Sequence, residues 1–156
     1  MVDTLSVLIS TGVLPVYAHD GDAGADLHSN ESVTLLPGSR VTVGTGVRIA
    51  LPEGFVGFVV PRSGLAHRYG VTVLNSPGTV DAGYRGEIKI TMLNTDTVHP
   101  FGIKAGDRIA QLVVMPVTRA EFVPVVSLPE SSRGDRGFGS TGSDHADTVE
   151  VGNPHE

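Results

Sequence analysis

The chain contains no cysteine. Disulfides and thiolate-held metals are therefore excluded, and a reducing cytoplasm is compatible with it. Aromatic residues are scarce at 5%, so each ring present asks for an explanation. No apolar run approaches the about 20 residues of a membrane span. The opening "MVDTLSVLIS" lacks the basic region and small-residue cleavage site of a signal peptide. Basic residues are outnumbered, and the net charge of −6 argues against broad nucleic-acid binding, which needs a basic face. No Walker A sequence and no dinucleotide fingerprint occur. The six histidines are scattered without metal-ligand spacing, so a histidine-bound zinc is not expected.

What is there suits one domain with a real core: 156 residues, 40% of them apolar. Nine of the eleven basic residues are arginine, the side chain better shaped for bidentate contacts to phosphate or carboxylate. The apolar pattern has the period of β-strands. In "RVTVGTGVRIAL", residues 40–51, Val41, Val43, Val47, Ile49 and Leu51 share one parity, with Thr42 and Arg48 on the other. "EIKITML" sets Ile88, Ile90 and Met92 against Glu87, Lys89 and Thr91 in the same way. Further strands are expected at Leu5–Ile9, Val33–Leu36, Phe55–Val60, Val71–Leu74, Ile109–Met115 and Phe122–Val126, punctuated by "LPGS", "LPEG", "NSPG" and "KAGD". One short helix is expected around Ser63–Tyr69. There is no internal repeat. The reading is an all-β sandwich, jelly roll or barrel.

The expected β domain runs over residues 1–126, and residues 127–156 differ from it. That segment is rich in Gly, Ser, Asp and Pro, lacks apolar periodicity, and carries six acids against two arginines. It cannot bury enough apolar surface to offset its ordering entropy, so a flexible tail is expected. Phe138 stands alone among its glycines, with Arg133 and Arg136 just upstream. One ring and two guanidiniums suit a lid that stacks on a flat ligand and clamps an anion.

Taken singly, the other polar segments read plainly. "DGDAGADLHSNE" puts Asp20, Asp22 and Glu31 at calcium-loop positions but has Gly24 and Ala25 where a ligand and a glycine are needed, so an EF-hand is rejected. Asp26 alone is a turn or strand-start aspartate. "PRSGLA", following the strand "FVGFVV", is either an anion nest of Arg62, Ser63 and the Gly64 amide or a helix N-cap by Ser63. "GDRIAQLV" reads as a turn feeding a strand, with Arg108 and Gln111 on the surface. "SPGTVDAGYRGEI" is a glycine-rich hairpin turn holding a lone acid, Asp81, and a tyrosine, Tyr84, three residues on.

Their order carries more than any one of them. "AGADL" (23–27), "PRSGLA" (61–66), "NSPGTVDAGYRGEI" (75–88), "GDRIAQLV" (106–113) and "RGDRGFGSTG" (133–142) together closely resemble the five ordered motifs of the trimeric deoxyuridine triphosphate nucleotidohydrolase (dUTPase) family. The resemblance runs from about residue 18 to residue 142. It implies a distorted jelly-roll, β-clip type barrel with one short helix, assembled as a homotrimer whose three sites are each lined by all three chains. It implies cytoplasmic hydrolysis of dUTP to dUMP and pyrophosphate with Mg²⁺, which supplies dUMP for thymidylate synthesis and keeps uracil out of DNA. No nucleic-acid or membrane partner is expected.

Residue by residue, the resemblance implies that Asp81 orients and deprotonates the water that attacks the α-phosphorus. Tyr84 would pack beneath the deoxyribose and exclude a 2′-hydroxyl. Asn75, with backbone groups of the same hairpin, would read the uracil edge, and Gly83 belongs to the same substrate contacts. Arg62, Ser63, Gly64 and Gln111 would hold phosphates on a neighbouring chain's surface. Asp26 would act through magnesium-bound water. In the tail, Arg133 would reach the γ-phosphate and Phe138 would stack on uracil, while Gly139, Ser140 and Thr141 complete the closing loop. The family tail commonly reads Arg-Gly-x-Gly-Gly-Phe-Gly, and here Arg136 replaces the first of the paired glycines. Two rival readings stand beside this one: a dCTP deaminase, which resembles the same fold, and a catalytically idle jelly-roll binding module. The "DAGYRGEI" hairpin with Tyr84 favours the hydrolase over the first, and intact Asp81, Asn75 and Arg62 favour it over the second.

Overall fold

The computed structural model describes residues 4–132 and 134–135. The chain divides into two compact units, Met1–Ala120 and Glu121–Glu156. In the first unit the strands are β1 (Leu8–Ser10), β2 (Ala25–His28), β3 (Val33–Leu35), β4 (Arg40–Gly44), β5 (Arg48–Ala50) and β6 (Phe55–Pro61). Then follow the helix α1 (Ser63–Tyr69), β7 (Val71–Val73), β8 (Gly78–Val80), β9 (Lys89–Asn94), β10 (Phe101–Ile103) and β11 (Arg108–Pro116). This is an all-β fold with one short helix. Every pairing is antiparallel: β2-β11-β6-β8 and β4-β9-β7 form the two larger sheets, and β1-β5 and β10-β3 form two ribbons.

The parity seen in the sequence is the parity of burial. Val43, Val47, Ile49 and Leu51 are buried while Thr42 and Arg48 are exposed. The run is nevertheless two strands. Gly46, at φ 69°, turns the chain between β4 and β5, and the two halves pair with β9 and β1 respectively. In β9, Ile90 and Met92 point into a core shared with Leu27, Leu35, Val43, Val71 and Ile109, all at most 1% exposed. The helix ends where expected, because Gly70 adopts the left-handed conformation and donates back to Ala66. Its start differs from the simple cap: Arg62 is the N-cap residue, its side chain makes no capping hydrogen bond to the helix, and Ser63 lies already inside the first turn.

The expected strand Phe122–Val126 is not formed. The second unit contains no strand or helix among its described residues, and Phe122 and Val126 are almost fully exposed. Pro124 stands in the middle of that run and removes a ladder donor, which outweighs the β-branched residues around it. Gly134, at φ 55°, closes a turn onto the carbonyl and hydroxyl of Ser131.

One buried polar corner ties β9 to the core. The Asn94 side chain is fully buried; its amide donates to the carbonyls of Leu35 (3.3 Å) and His99 (2.9 Å), and its oxygen accepts from the Asp96 N–H at 3.0 Å. Asp96 in turn accepts from the N–H groups of Val98 (2.7 Å) and His99 (2.8 Å). The His99 N–H first, and then that of Val98, hold the Asp96 carboxyl below the ordinary value of 3.8. A lowered folded-state pKa stabilises the fold above the unfolded value and is lost as pH falls through the folded one. Thermal midpoints of wild type should therefore fall more steeply than those of Asp96→Asn between about pH 5 and pH 3. Parallel curves would remove this corner from the acid response.

Candidate active site

Three side chains, Arg62 after β6 and Arg108 and Gln111 on β11, meet on one carboxylate. Asp26, on β2, is 4% exposed. The Arg62 Nε lies 3.3 Å from its Oδ1, the Arg108 Nη1 3.4 Å from its Oδ2, and the Gln111 Nε2 donates to its Oδ1 at 3.4 Å. Arg62 also donates to the Arg108 carbonyl at 3.0 Å. The strand order explains the meeting. Central β11 pairs with β2 on one side, setting Gln111 opposite Asp26, and with β6 on the other, where Ala110 faces Pro61 just before Arg62. Gly24 allows the close approach, since a Cβ there would lie 3.0 Å from the Gln111 Cβ.

Arg108 was expected on the surface, and its place in this cluster is a finding of the structure. In a regular strand residues 108 and 111 point to opposite faces. A register irregularity between Arg108 and Ala110 sets two residues of β11 against one of β2, and the extra residue re-phases the alternation. Both side chains then reach Asp26. No sequence pattern marks such a bulge. Arg108 stays exposed, as expected, while Gln111 is half-buried rather than on the surface.

Ser63 and Gly64 lie exposed in the first turn of α1, beside Arg62. The first N–H groups of a helix have no intrahelical acceptor, so this turn offers donors to an anion.

A second group forms around the hairpin. Asn75, Gly78 and Tyr84 line a recess of about 140 Å³ whose floor includes Val59, Val73 and Ile90. Asn75 is exposed, and its side-chain amide makes no hydrogen bond among the described residues. The Ser76–Pro77 peptide is cis. The turn after β8 closes through the Tyr84 N–H, which donates to the Asp81 carbonyl at 3.0 Å. Asp81 and Gly83 are exposed, and no side chain among the described residues pairs with the Asp81 carboxylate. Tyr84 is 46% exposed, a large open face for one of the few rings in the chain. Its hydroxyl donates to the Glu87 carbonyl at 2.9 Å. No hydrogen bond or ion pair among the described residues joins this recess to the Asp26 cluster. Arg133, Arg136, Phe138, Gly139, Ser140 and Thr141 lie outside the described residues.

With this geometry in view, comparison with known proteins is decisive. The dUTPase family model matches residues 11–142. The chain belongs to the dUTPase family. It is therefore a hydrolase, and its barrel is the dUTPase fold. The deoxyuridine 5′-triphosphate nucleotidohydrolase of Leifsonia xyli is 66% identical over 142 residues, covering 91% of this chain and 93% of that protein. The nucleotidohydrolase of Thermobifida fusca is 63% identical over 129 residues, covering 83% and 72% respectively. Among solved structures, the dUTPase of Staphylococcus bacteriophage 80alpha with dUPNHPP superposes with a TM-score of 0.84 at 29% identity, covering 90% of this chain and all of that one. A mutant dUTPase of phage phi11 of S. aureus, described with a structural Mg(II) ion, gives a TM-score of 0.74 at 26% identity, covering 79% of this chain and 98% of its own.

Proposed function

We propose that the protein hydrolyses dUTP to dUMP and pyrophosphate, working as a homotrimer in the cytoplasm, where it supplies dUMP for thymidylate synthesis and keeps uracil out of DNA. The observation that carries this reading is the recess lined by Asn75, Gly78 and Tyr84, built by the hairpin whose motif resembles that of the family. A hairpin can distinguish uracil because its backbone donors and acceptors stand at fixed spacing and a narrow recess leaves no room for thymine's methyl. Asn75 has a free amide for the base edge, and the open face of Tyr84 suits a deoxyribose laid flush against it, with no space for a 2′-hydroxyl. Gly83 continues the hairpin backbone beside them. Asp81, at the mouth of the same turn, holds the attacking water and takes its proton as the water closes on the α-phosphorus. The bond from the α-phosphorus to the bridging oxygen breaks, and pyrophosphate leaves.

Phosphoryl transfer asks for position and charge compensation. Arg62, Ser63, Gly64 and Gln111 answer that need from a neighbouring chain, a reading supported by the lack of any hydrogen bond or ion pair between the two groups among the described residues. Arg133 meets the γ-phosphate, Phe138 stacks on the base, and Gly139, Ser140 and Thr141 close over the phosphates. Both Asp26 oxygens already accept from Arg62, Arg108 and Gln111. No group of three or more acidic or histidine side chains gathers among the described residues. This donor set fits an outer-shell role, in which Asp26 would hold a Mg²⁺ through water rather than bind it directly. Such an ion supplies neutralisation of the pyrophosphate charge. Among the described residues no helix is long and apolar enough to cross a membrane.

Pyrophosphate release measured with dUTP, dCTP, dTTP and UTP in the presence of Mg²⁺ tests the reading. Release confined to dUTP is expected. Ammonia from dCTP would move the assignment to a deaminase, and no turnover of any nucleotide would leave a binding module.

A further inference from the structure

The return of the hairpin contains one acid that the motif reading assigns to nothing, Glu87. Its carboxylate is largely withdrawn from solvent, the side chain being 19% exposed, and Lys89 stands only at the outer limit of an ion pair, 4.0 Å away. The contacts that matter are neutral donors. Glu87 Oε1 accepts from the Gly46 N–H at 2.8 Å and from the Asn30 amide at 3.3 Å. A Cβ on Gly44 would come within 2.8 Å of both Glu87 Oε1 and Asn30 Oδ1, so the turn is shaped around this carboxylate.

The next residue continues the seam. The Ile88 N–H donates to the Val47 carbonyl at 2.8 Å, and the Thr45 hydroxyl donates to the Ile88 carbonyl at 2.6 Å. Residues 87 and 88 are thus fastened to the 44–47 turn, itself the corner between two core strands. Glu87 faces the other way through its main chain, where its carbonyl accepts from the Tyr84 hydroxyl at 2.9 Å. The Tyr84 ring lies over Gly86 so closely that any Cβ there would collide with it. Glu87 also lines the recess itself.

We infer that Glu87 is a positioning residue for sugar selectivity: its carboxylate locks the hairpin return onto the 44–47 turn, and its carbonyl thereby fixes the height of the Tyr84 ring in the recess. This rests on the reading that Tyr84 faces the deoxyribose. A ring held at one end only by Gly86 could tilt by the fraction of an ångström that a 2′-hydroxyl needs. With Glu87 anchored to the turn, the tyrosine is fixed at both ends, and the discrimination becomes a property of the scaffold as much as of the ring.

The test is the ratio of kcat/KM for dUTP to that for UTP in wild type, Glu87→Ala, Glu87→Gln and Tyr84→Phe. Glu87→Ala should lower the ratio about tenfold, the scale set by loss of a charge-assisted hydrogen bond. Glu87→Gln keeps an oxygen that accepts from Gly46 and Asn30 and should stay within about threefold of wild type. Tyr84→Phe removes the hydroxyl that Glu87 holds while keeping the ring, and should lower the ratio as Glu87→Ala does. Equal losses on both nucleotides in Glu87→Ala, with the ratio preserved, would make Glu87 merely structural and overturn the inference. Should Glu87→Ala fail to fold, Tyr84→Phe decides, and an unchanged ratio there overturns it. Failure of the underlying reading shows elsewhere, as a wild type that does not prefer dUTP.

Discussion

Asp81→Ala is expected to lose about 10²- to 10⁴-fold in kcat, the range that a positioned general base supplies, while its unfolding midpoint stays within about 0.5 kcal/mol of wild type. The two halves of that expectation come from the same place in the structure. Asp81 is exposed, and no side chain among the described residues pairs with its carboxylate. What it gives to the fold is its main chain: the carbonyl that accepts the Tyr84 N–H, which alanine retains. A surface acid with no function would leave both quantities untouched, and an acid that shaped the hairpin would move both. Loss of turnover with an intact fold separates a water-activating carboxylate from either. Single-turnover pyrophosphate release beside urea unfolding is the measurement, and Asp81→Ala with wild-type turnover would pass the water to another group.

Asp26→Ala should behave in the opposite manner and lose both. The carboxylate is buried, and its removal leaves Arg62 and Arg108 without the anion they share. Breaking a fully buried pair costs about 3–5 kcal/mol. Here the arginine side chains are 27% and 52% exposed and recover part of that from water, so about 1–3 kcal/mol is expected. Turnover should fall as well, because Arg62 and Gln111 lose the group that holds them side by side. Asp26→Asn keeps an oxygen for Gln111 and should be destabilised less. Urea midpoints of the two variants, read with their KM for dUTP over a range of Mg²⁺ concentrations, test this. Unchanged midpoints in both would show that the cluster adds nothing to the fold.

Much of this was legible in the residues, for reasons that differ from element to element. The helix was readable to its ends because Gly70 supplies the left-handed stop. Strands β4, β5, β6, β9 and β11 were readable because one of their faces is core and the other is not. Strands β8 and β10 were not, since β8 lies inside a glycine-rich turn and β10 has Gly102 at its centre, a residue depleted in strands. Phe122–Val126 had the composition of a strand, and Pro124 overrode it. The site divides in the same way. Asp26, Arg62 and Gln111 are brought together, as are Asn75 and Tyr84, and residue order had already associated them. Arg108 escaped because its direction depends on a bulge, and Glu87 because its partners, Gly46 and Asn30, are distant in the chain and unremarkable in type.

The Asp26 cluster also says something about the site before any nucleotide arrives. Two guanidiniums on one carboxylate leave a single positive charge where two cations side by side would repel each other and recruit loose counterions. The protein carries its own counterion in a fixed place, so Arg62 and Arg108 are held in position in advance. On the proposed reading, a triphosphate reaching Arg62 would enter as a competitor for a cation already partnered. Binding would then be an exchange of one anion for another, with the same resident carboxylate in place to reclaim the arginine when pyrophosphate leaves.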